Sequence, residues 1–187
     1  MVHIRKLTEA DAAALWGLRL QALETDPVAF AESPDEHKRK TVEELASQLR
    51  SSGEENFLVG AFDGGELAGM TGFYRDALLK RRHIGHIWGV FVSPSARGKG
   101  VGQRLLAEVI QSAKALAGLR CVRLMVAVPQ EAALRLYKGA GFRVFGAEPT
   151  SLKIGERFVD EYQMTLEFDS SQFGDTQAVR EGNERQL

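Results

Sequence analysis

Between residues 84 and 106 the chain changes period. Ile84, His86, Trp88, Val90 and Val92 alternate with Gly85, Ile87, Gly89 and Phe91, mostly apolar and β-favouring on both sides, which is the pattern of a strand buried inside a sheet. Strict alternation places His86 on one face with Trp88, Val90 and Val92. Pro94 stops the strand. From Val101 onward Leu105, Val109 and Ala113 recur at helical spacing, with Ile110 and Leu116 beside them. The stretch reads as strand, glycine turn and helix.

The flanking pattern extends this unit in both directions. Residues 2–7 form a short strand candidate; Thr8 and Asp11 resemble a capping box that opens a helix whose Trp16, Leu20 and Leu23 share a face, and Asp26-Pro27 ends it. Residues 28–40 lack periodicity and are expected to be a loop. Thr41 and Glu44 form a second capping box ahead of a stripe made of Val42, Leu45, Ala46 and Leu49. Residues 56–62 and 67–74 are two strands joined at Asp63-Gly64-Gly65-Glu66, a hairpin signal because Asp-Gly and Gly-Gly tolerate positive φ. Residues 121–128 are a β-branched strand, residues 130–139 a helix, and Phe142, Val144 and Phe145 begin another strand. Phe158, Tyr162, Met164, Leu166 and Phe168 sit at even spacing on a last strand. Residues 169–187 are polar and are expected to be a disordered tail after one domain spanning residues 1–168. Runs of antiparallel and parallel strands interrupted by helices predict an α+β fold with a mixed sheet.

Composition narrows the function. A net charge of −1 and a pI near 6.4 argue against a nucleic-acid binder. The single Cys121 has no intrachain disulfide partner, residues 1–6 carry no apolar run of signal-peptide length, and no stretch is apolar enough to span a membrane. A cytoplasmic setting without membrane partners is the expectation.

The turn itself carries the chemistry. In Arg97-Gly98-Lys99-Gly100-Val101-Gly102, alternate glycines at a helix entrance let a ligand reach bare backbone. The free amides of the first helical turn and the positive end of the helix dipole favour an anion there, most often a phosphate. Arg97 and Lys99 add charge. Spacing excludes two phosphate motifs: the sixth residue from Gly98 is Gln103, where a dinucleotide fingerprint needs glycine, and no Walker lysine stands at the required distance. The run Lys80-Arg81-Arg82-His83 reads as a solvated turn.

Arg97, Gly100 and Gly102, preceded by the apolar strand, resemble the (Gln/Arg)-x-x-Gly-x-(Gly/Ala) signature of the GNAT superfamily of acetyl-CoA-dependent N-acetyltransferases. The run Ala133-Leu134-Arg135-Leu136-Tyr137-Lys138-Gly139-Ala140-Gly141-Phe142 is similar to that family's second signature. The resemblance implies a mostly antiparallel mixed sheet of about seven strands, flanked by about four helices, with a splayed strand pair that holds the cosubstrate acetyl-CoA. It implies cofactor contacts from Val90, Phe91 and Val92 to the pantetheine arm. It further implies contacts from Gly98, Lys99, Gly100, Val101, Gly102 and Gln103 to the pyrophosphate, with Arg97 beside them and Gln130 where many relatives carry Asn.

In the role the family pattern implies, Tyr137 lies near the cofactor sulfur and protonates the departing thiolate. His86, eleven residues before Arg97, stands where some members carry the general base. The implied reaction is direct acetyl transfer to a primary amine of a small molecule, peptide or protein within a ternary complex, with no metal, by a monomer or homodimer. Phe30, Glu32, Asp160 and Glu161 are the candidate acceptor contacts, the acids suited to attract a cationic amine. Two other readings stay open: a non-catalytic acyl-CoA sensor on the same fold, and an S-adenosylmethionine methyltransferase using Gly98, Gly100 and Gly102.

Overall fold

In the computed structural model, which describes residues 2–168, seven strands form one sheet in the order β1-β2-β3-β4-β5-β7-β6. They are β1 (His3–Lys6), β2 (Asn56–Asp63), β3 (Glu66–Arg75), β4 (Ile84–Val92), β5 (Cys121–Ala127), β6 (Arg143–Ile154) and β7 (Arg157–Glu167). Every neighbouring pair is antiparallel except β4 and β5. The α-helices are α1 (Ala12–Thr25), α2 (Pro34–Lys38), α3 (Val42–Arg50), α4 (Val101–Lys114) and α5 (Glu131–Gly139). This is the expected mixed α+β fold, with one helix more than the pattern predicts. The extra helix, α2, lies in the stretch expected to be a loop. It is one turn and a half long, too short to show apolar periodicity, and is set by Ser33: its N–H donates to Glu36 at 2.8 Å, its hydroxyl accepts the Glu36 amide at 3.2 Å, and Pro34 fills the first helical position. The tail expected over residues 169–187 lies outside the described residues.

β6 at the sheet edge is largely exposed, while the middle of the sheet is buried on both faces. On one, Leu15, Leu18 and Ala22 of α1 and Leu45 and Leu49 of α3 pack on Leu58, Met70 and Phe91. On the other, Leu105, Leu106, Val109 and Ala113 of α4 pack on Phe57, Val59, Phe73 and Val122. Adjacent residues of β2 thus go to opposite layers, and each large apolar side chain fully buried stabilises the fold by about 1.5 to 3 kcal/mol. The helix faces differ in detail from the expected ones. Trp16 and Leu20 are only partly buried, because Trp16 turns toward α2 and donates its indole N–H to the Lys40 carbonyl at 2.8 Å. Val42 is 42% exposed, which leaves Leu45, Ala46 and Leu49 as the α3 stripe. The β2–β3 hairpin turns at Gly64 and Gly65, both at positive φ, as its sequence predicts. Among the described residues no helix is long and apolar enough to cross a membrane.

β4 departs from regular alternation at one point. Phe91 pairs with Met70 and Trp88 with Gly72, so two residues of β4, Gly89 and Val90, face only Thr71 of β3. Gly89 occupies this bulge at φ +64°, a left-handed conformation that glycine adopts without steric cost. The bulge shifts the phase of every side chain after it. Ile87, Val90 and Val92 join the α4 layer, while Trp88 and Phe91 join the α1 layer. The expected shared face is therefore corrected: His86 lies with Trp88 but not with Val90 or Val92.

Candidate active site

β4 and β5 pair only at Ile84↔Cys121, Gly85↔Val122 and His86↔Arg123. Past those pairs the bulged β4 follows β3 and β5 follows β7, so the two strands diverge. A cleft of about 280 Å³ opens between them, walled by Trp88, Val90 and Val92 on one side, by Leu124 and Val126 on the other, and by Tyr137. It pierces the sheet: Phe30 and Trp88 on its wall pack with the α1 layer, Leu136 and Tyr137 with the α4 layer. The facing edges of β4 and β5 carry backbone groups that no strand satisfies there.

One end of the cleft meets the glycine turn. Gly98 and Gly100 have φ of +76° and +72°, and Gly100 is the N-cap of α4. Arg97, Gly98, Gly100, Gly102 and Gln103 line a recess of about 210 Å³. The first amide bonded back is that of Arg104, to the Gly100 carbonyl at 3.1 Å, so those of Val101, Gly102 and Gln103 precede the helical bonding. Arg97 donates from Nε to the Val92 carbonyl at 2.9 Å and from Nη2 to Asp26 at 2.5 Å, and Lys99 stands 3.7 Å from Asp63. Both cations are about half exposed, at 47% and 57%, where an ion pair contributes about 0 to 1 kcal/mol and exchanges readily for another anion. Free amides, exchangeable cations and the missing glycine side chains together fit a diphosphate.

Tyr137, on α5, is 6% exposed and packs edge-on to Phe142 at 6.1 Å. Burial pushes its phenol far above the usual tyrosine range, so it holds its proton at any physiological pH. Gln130 caps the start of α5 and lines the same cleft.

On the α1 face the cleft meets a second cavity of about 700 Å³, whose wall includes Arg19, Phe30, Tyr74, His86, Arg123 and Glu161. His86 is opposite Tyr74 in the β3–β4 register, and the two rings stack at 4.7 Å and 14°. Its Nε2 lies 3.6 Å from Asp76 Oδ2. Burial lowers its pKa and outweighs the opposing pull of Asp76, with Arg81 and Arg123 reinforcing the shift, so the ring is neutral at pH 7. Glu32 is bound by Arg19 at 3.1 Å and Lys40 at 2.5 Å. Burial raises the pKa of Glu32, but those two cations together overcome it and hold the carboxyl below its usual value. Phe30 lies beneath the Arg19 guanidinium at 4.5 Å.

A sequence profile of the Acetyltransferase (GNAT) family matches residues 20–142, more than half of the chain. The chain belongs to that family. N-alpha-acetyltransferase RimI of Mycobacterium tuberculosis is 32% identical over 149 residues, which is 78% of this chain and 80% of that protein. A GNAT-family acetyltransferase from Streptococcus pneumoniae superposes with a TM-score of 0.81 at 30% identity, over 90% of this chain and 100% of that one. The yncA structure from Salmonella typhimurium, which carries acetyl-CoA, shares the fold with a TM-score of 0.80 at 22% identity, over 94% and 98% of the two chains. An uncharacterised N-acetyltransferase from Methanocaldococcus jannaschii matches at 38% identity over 64 residues, and this chain covers 28% of its length. The enzyme class expected from the two signatures, an N-acetyltransferase, is thus the class of its family.

Within this GNAT fold, the residues expected to contact the cofactor fall on one path: Val90 and Val92 along the cleft, Arg97 to Gln103 around the recess, Gln130 and Tyr137 on the opposite wall. Lys99 stands beside that recess rather than in its wall. The acceptor candidates are less coherent. Phe30, Glu32 and Glu161 share the cavity with His86, but Asp160 is outside it, accepting the Thr150 amide at 2.8 Å. Residues 148–162 belong to the β6–β7 hairpin, and the strand pattern of β6 is hidden by Pro149 and by an irregularity in which Thr150 sits at φ +54°. Sequence reasoning also missed Arg19, Tyr74, Arg123 and Gln163. Arg123 alone left a signal: a charge within the apolar strand Cys121–Ala127.

Proposed function

We propose that the protein moves the acetyl group of acetyl-CoA to a primary amine by direct transfer within a ternary complex, as a cytoplasmic enzyme. One observation carries this reading: a single cleft through the sheet joins an anion recess and a buried phenol on one side to a neutral histidine on the other. In this reading the amides of Val101, Gly102 and Gln103 bind the pyrophosphate of acetyl-CoA, and the β4 edge at Val90 to Val92, which faces the cleft rather than β5, aligns its pantetheine arm. Tyr137, still protonated at neutral pH, lends its O–H to the sulfur as negative charge develops on the departing thiolate. A free phenol ionises only at about 10, above the value of about 8.5 at which a thiol does. His86 accepts the proton of the incoming amine. A lysine-like amine has a pKa of about 10.4, so its neutral form is less favourable at pH 7 by roughly 4 to 5 kcal/mol, and attack needs such an acceptor. The shared cavity of His86 with Phe30 and Trp88 supports the amine entering from the α1 face, opposite the phenol. The test is calorimetric titration with acetyl-CoA, followed by a screen of amines that reads release of free thiol. Binding without thiol release from any amine would favour an acyl-CoA sensor, and no binding at all would remove the reading.

A further inference from the structure

The second cavity is built for a different charge than its acids suggest. Three guanidiniums line it, those of Arg19, Arg81 and Arg123, against the carboxylates of Glu32 and Glu161. Glu32 is already saturated by Arg19 and Lys40, and Glu161 accepts the Ser151 hydroxyl at 2.7 Å. Arg81 is neutralised by Asp76 at 2.6 Å. Arg123 differs: among the described residues no carboxylate lies within ion-pair reach of it, and its buried Nε meets no acceptor. Its guanidinium is held over the Phe145 ring at 5.2 Å and lies beside the Cys121 thiol, a weak acceptor, which fixes its plane without giving it an oxyanion partner. Arg19 also keeps one buried nitrogen without an acceptor, Nη1, on the side facing Gly89, 3.6 Å from where a Cβ would stand on that glycine.

Unfilled, charged donors in the wall of a cavity are costly, and a ligand oxyanion that reaches them makes strong, directional bonds. We infer that the acceptor of the proposed acetyl transfer is an amine that also bears a carboxylate, as a free amino acid does, and that Arg123 holds that carboxylate. His86 and Arg123 are register partners on adjacent strands, about 4.8 Å apart, so the group that accepts the amine's proton and the group that binds the acid stand side by side. One small molecule with both functions bridges them. A polycation or an unsubstituted alkylamine has no partner for Arg123 and brings its charge toward that uncompensated guanidinium. This replaces the expectation that Glu32, Asp160 and Glu161 draw in a cationic amine.

The inference rests on the proposed acetyl transfer, and matched acceptors separate the two. L-amino acids are compared with their own amides, which keep the amine and lose the acid, and with spermine and a C-terminally amidated peptide, all in the presence of acetyl-CoA. At least one amino acid is expected to release thiol with a kcat/KM about tenfold or more above that of its amide. Arg123→Gln should erase most of that preference by raising KM for the acid far more than for its amide, and Arg123→Lys should restore part of it. The acid and amide comparison uses the wild-type enzyme, so it stands even if the variants fail to fold. Thiol release confined to amides, spermine or the peptide, or from none of the pairs while acetyl-CoA still binds, overturns the carboxylate and leaves the cofactor reading in place; loss of acetyl-CoA binding itself overturns both.

Discussion

The two ends of the cleft are made of different materials. The cofactor end is backbone: glycines in left-handed conformations, free helix-start amides and two exchangeable cations, all from residues 97–103. The acceptor end is side chain, assembled from α1, the turn after it and strands β3, β4, β5, β6 and β7. A backbone site is set by the left-handed φ of its glycines more than by the side chains around it. A site made of side chains from many segments can be re-specified one position at a time without disturbing the sheet. On the proposed reading, one end is therefore set for a constant ligand and the other for an acceptor that can vary.

The sharpest way to break that contrast lies at the chemistry between the ends. Tyr137→Phe should reduce kcat about a hundredfold while the Kd for acetyl-CoA, read by calorimetry, stays within twofold; equal rates for the two proteins would remove the phenol from the mechanism. His86→Ala should cost a similar factor, with a distinct pH signature. Because burial lowers the pKa of His86, the neutral base persists below its usual value near 6.5, and kcat/KM should fall only as pH drops through that lowered pKa. The variant should lose this acidic limb, so an unchanged limb would assign the base elsewhere. No alkaline limb is expected from Tyr137, whose phenol is driven upward.

A smaller effect is expected at the backbone end. Gly100→Val forces a β-branched residue into φ +72° and should weaken acetyl-CoA about tenfold, while circular dichroism remains that of the folded protein. Undiminished affinity in a folded variant would detach the turn from the cofactor. The smallest effect on the reaction belongs to a pair remote from both ends. Asp11 is bound by Arg5 through two bonds of 2.7 Å, which holds its carboxyl at about 2 rather than 3.8. The folded value is the depressed one, so the stabilisation is present above pH 3.8 and fades as pH falls through about 2. Asp11→Asn should cost about 1 to 2 kcal/mol in urea unfolding at pH 7, reduced from the full shift because Arg5 is 39% exposed, with no change in KM for either substrate.

What could be read from the chain follows the same division. The glycine turn, its helix and the α5 signature are contiguous, so spacing alone carried them, and the hairpin at Gly64-Gly65 was legible for the same reason. The phase of β4 was not, because Val90 and Val92 are as apolar as the residues they displace, and only the positive φ of Gly89 reveals the slip. Arg19, Tyr74 and Arg123 are separated by dozens of positions, and only the sheet order puts them around His86. Glu32 looked available in the sequence because the two cations that neutralise it are not its neighbours in the chain: Arg19 lies thirteen residues back on α1, and Lys40 is reached across α2, a helix whose short span hid it.

The divergence of β4 and β5 also gives the molecule a weak line. The sheet consists of two plates, β1 to β4 and β5 to β6, sewn together by three residue pairs, fewer than the four that join β1 to β2 or the eight that join β2 to β3. When such a sheet is pulled across its strands every seam bears the same load in series, so the shortest seam yields first. A molecule stretched between handles on β1 and β6 should therefore tear beside His86 and Arg123, and a ligand laid in the gap as an extra strand would act as a rivet, raising the rupture force by lengthening that one seam.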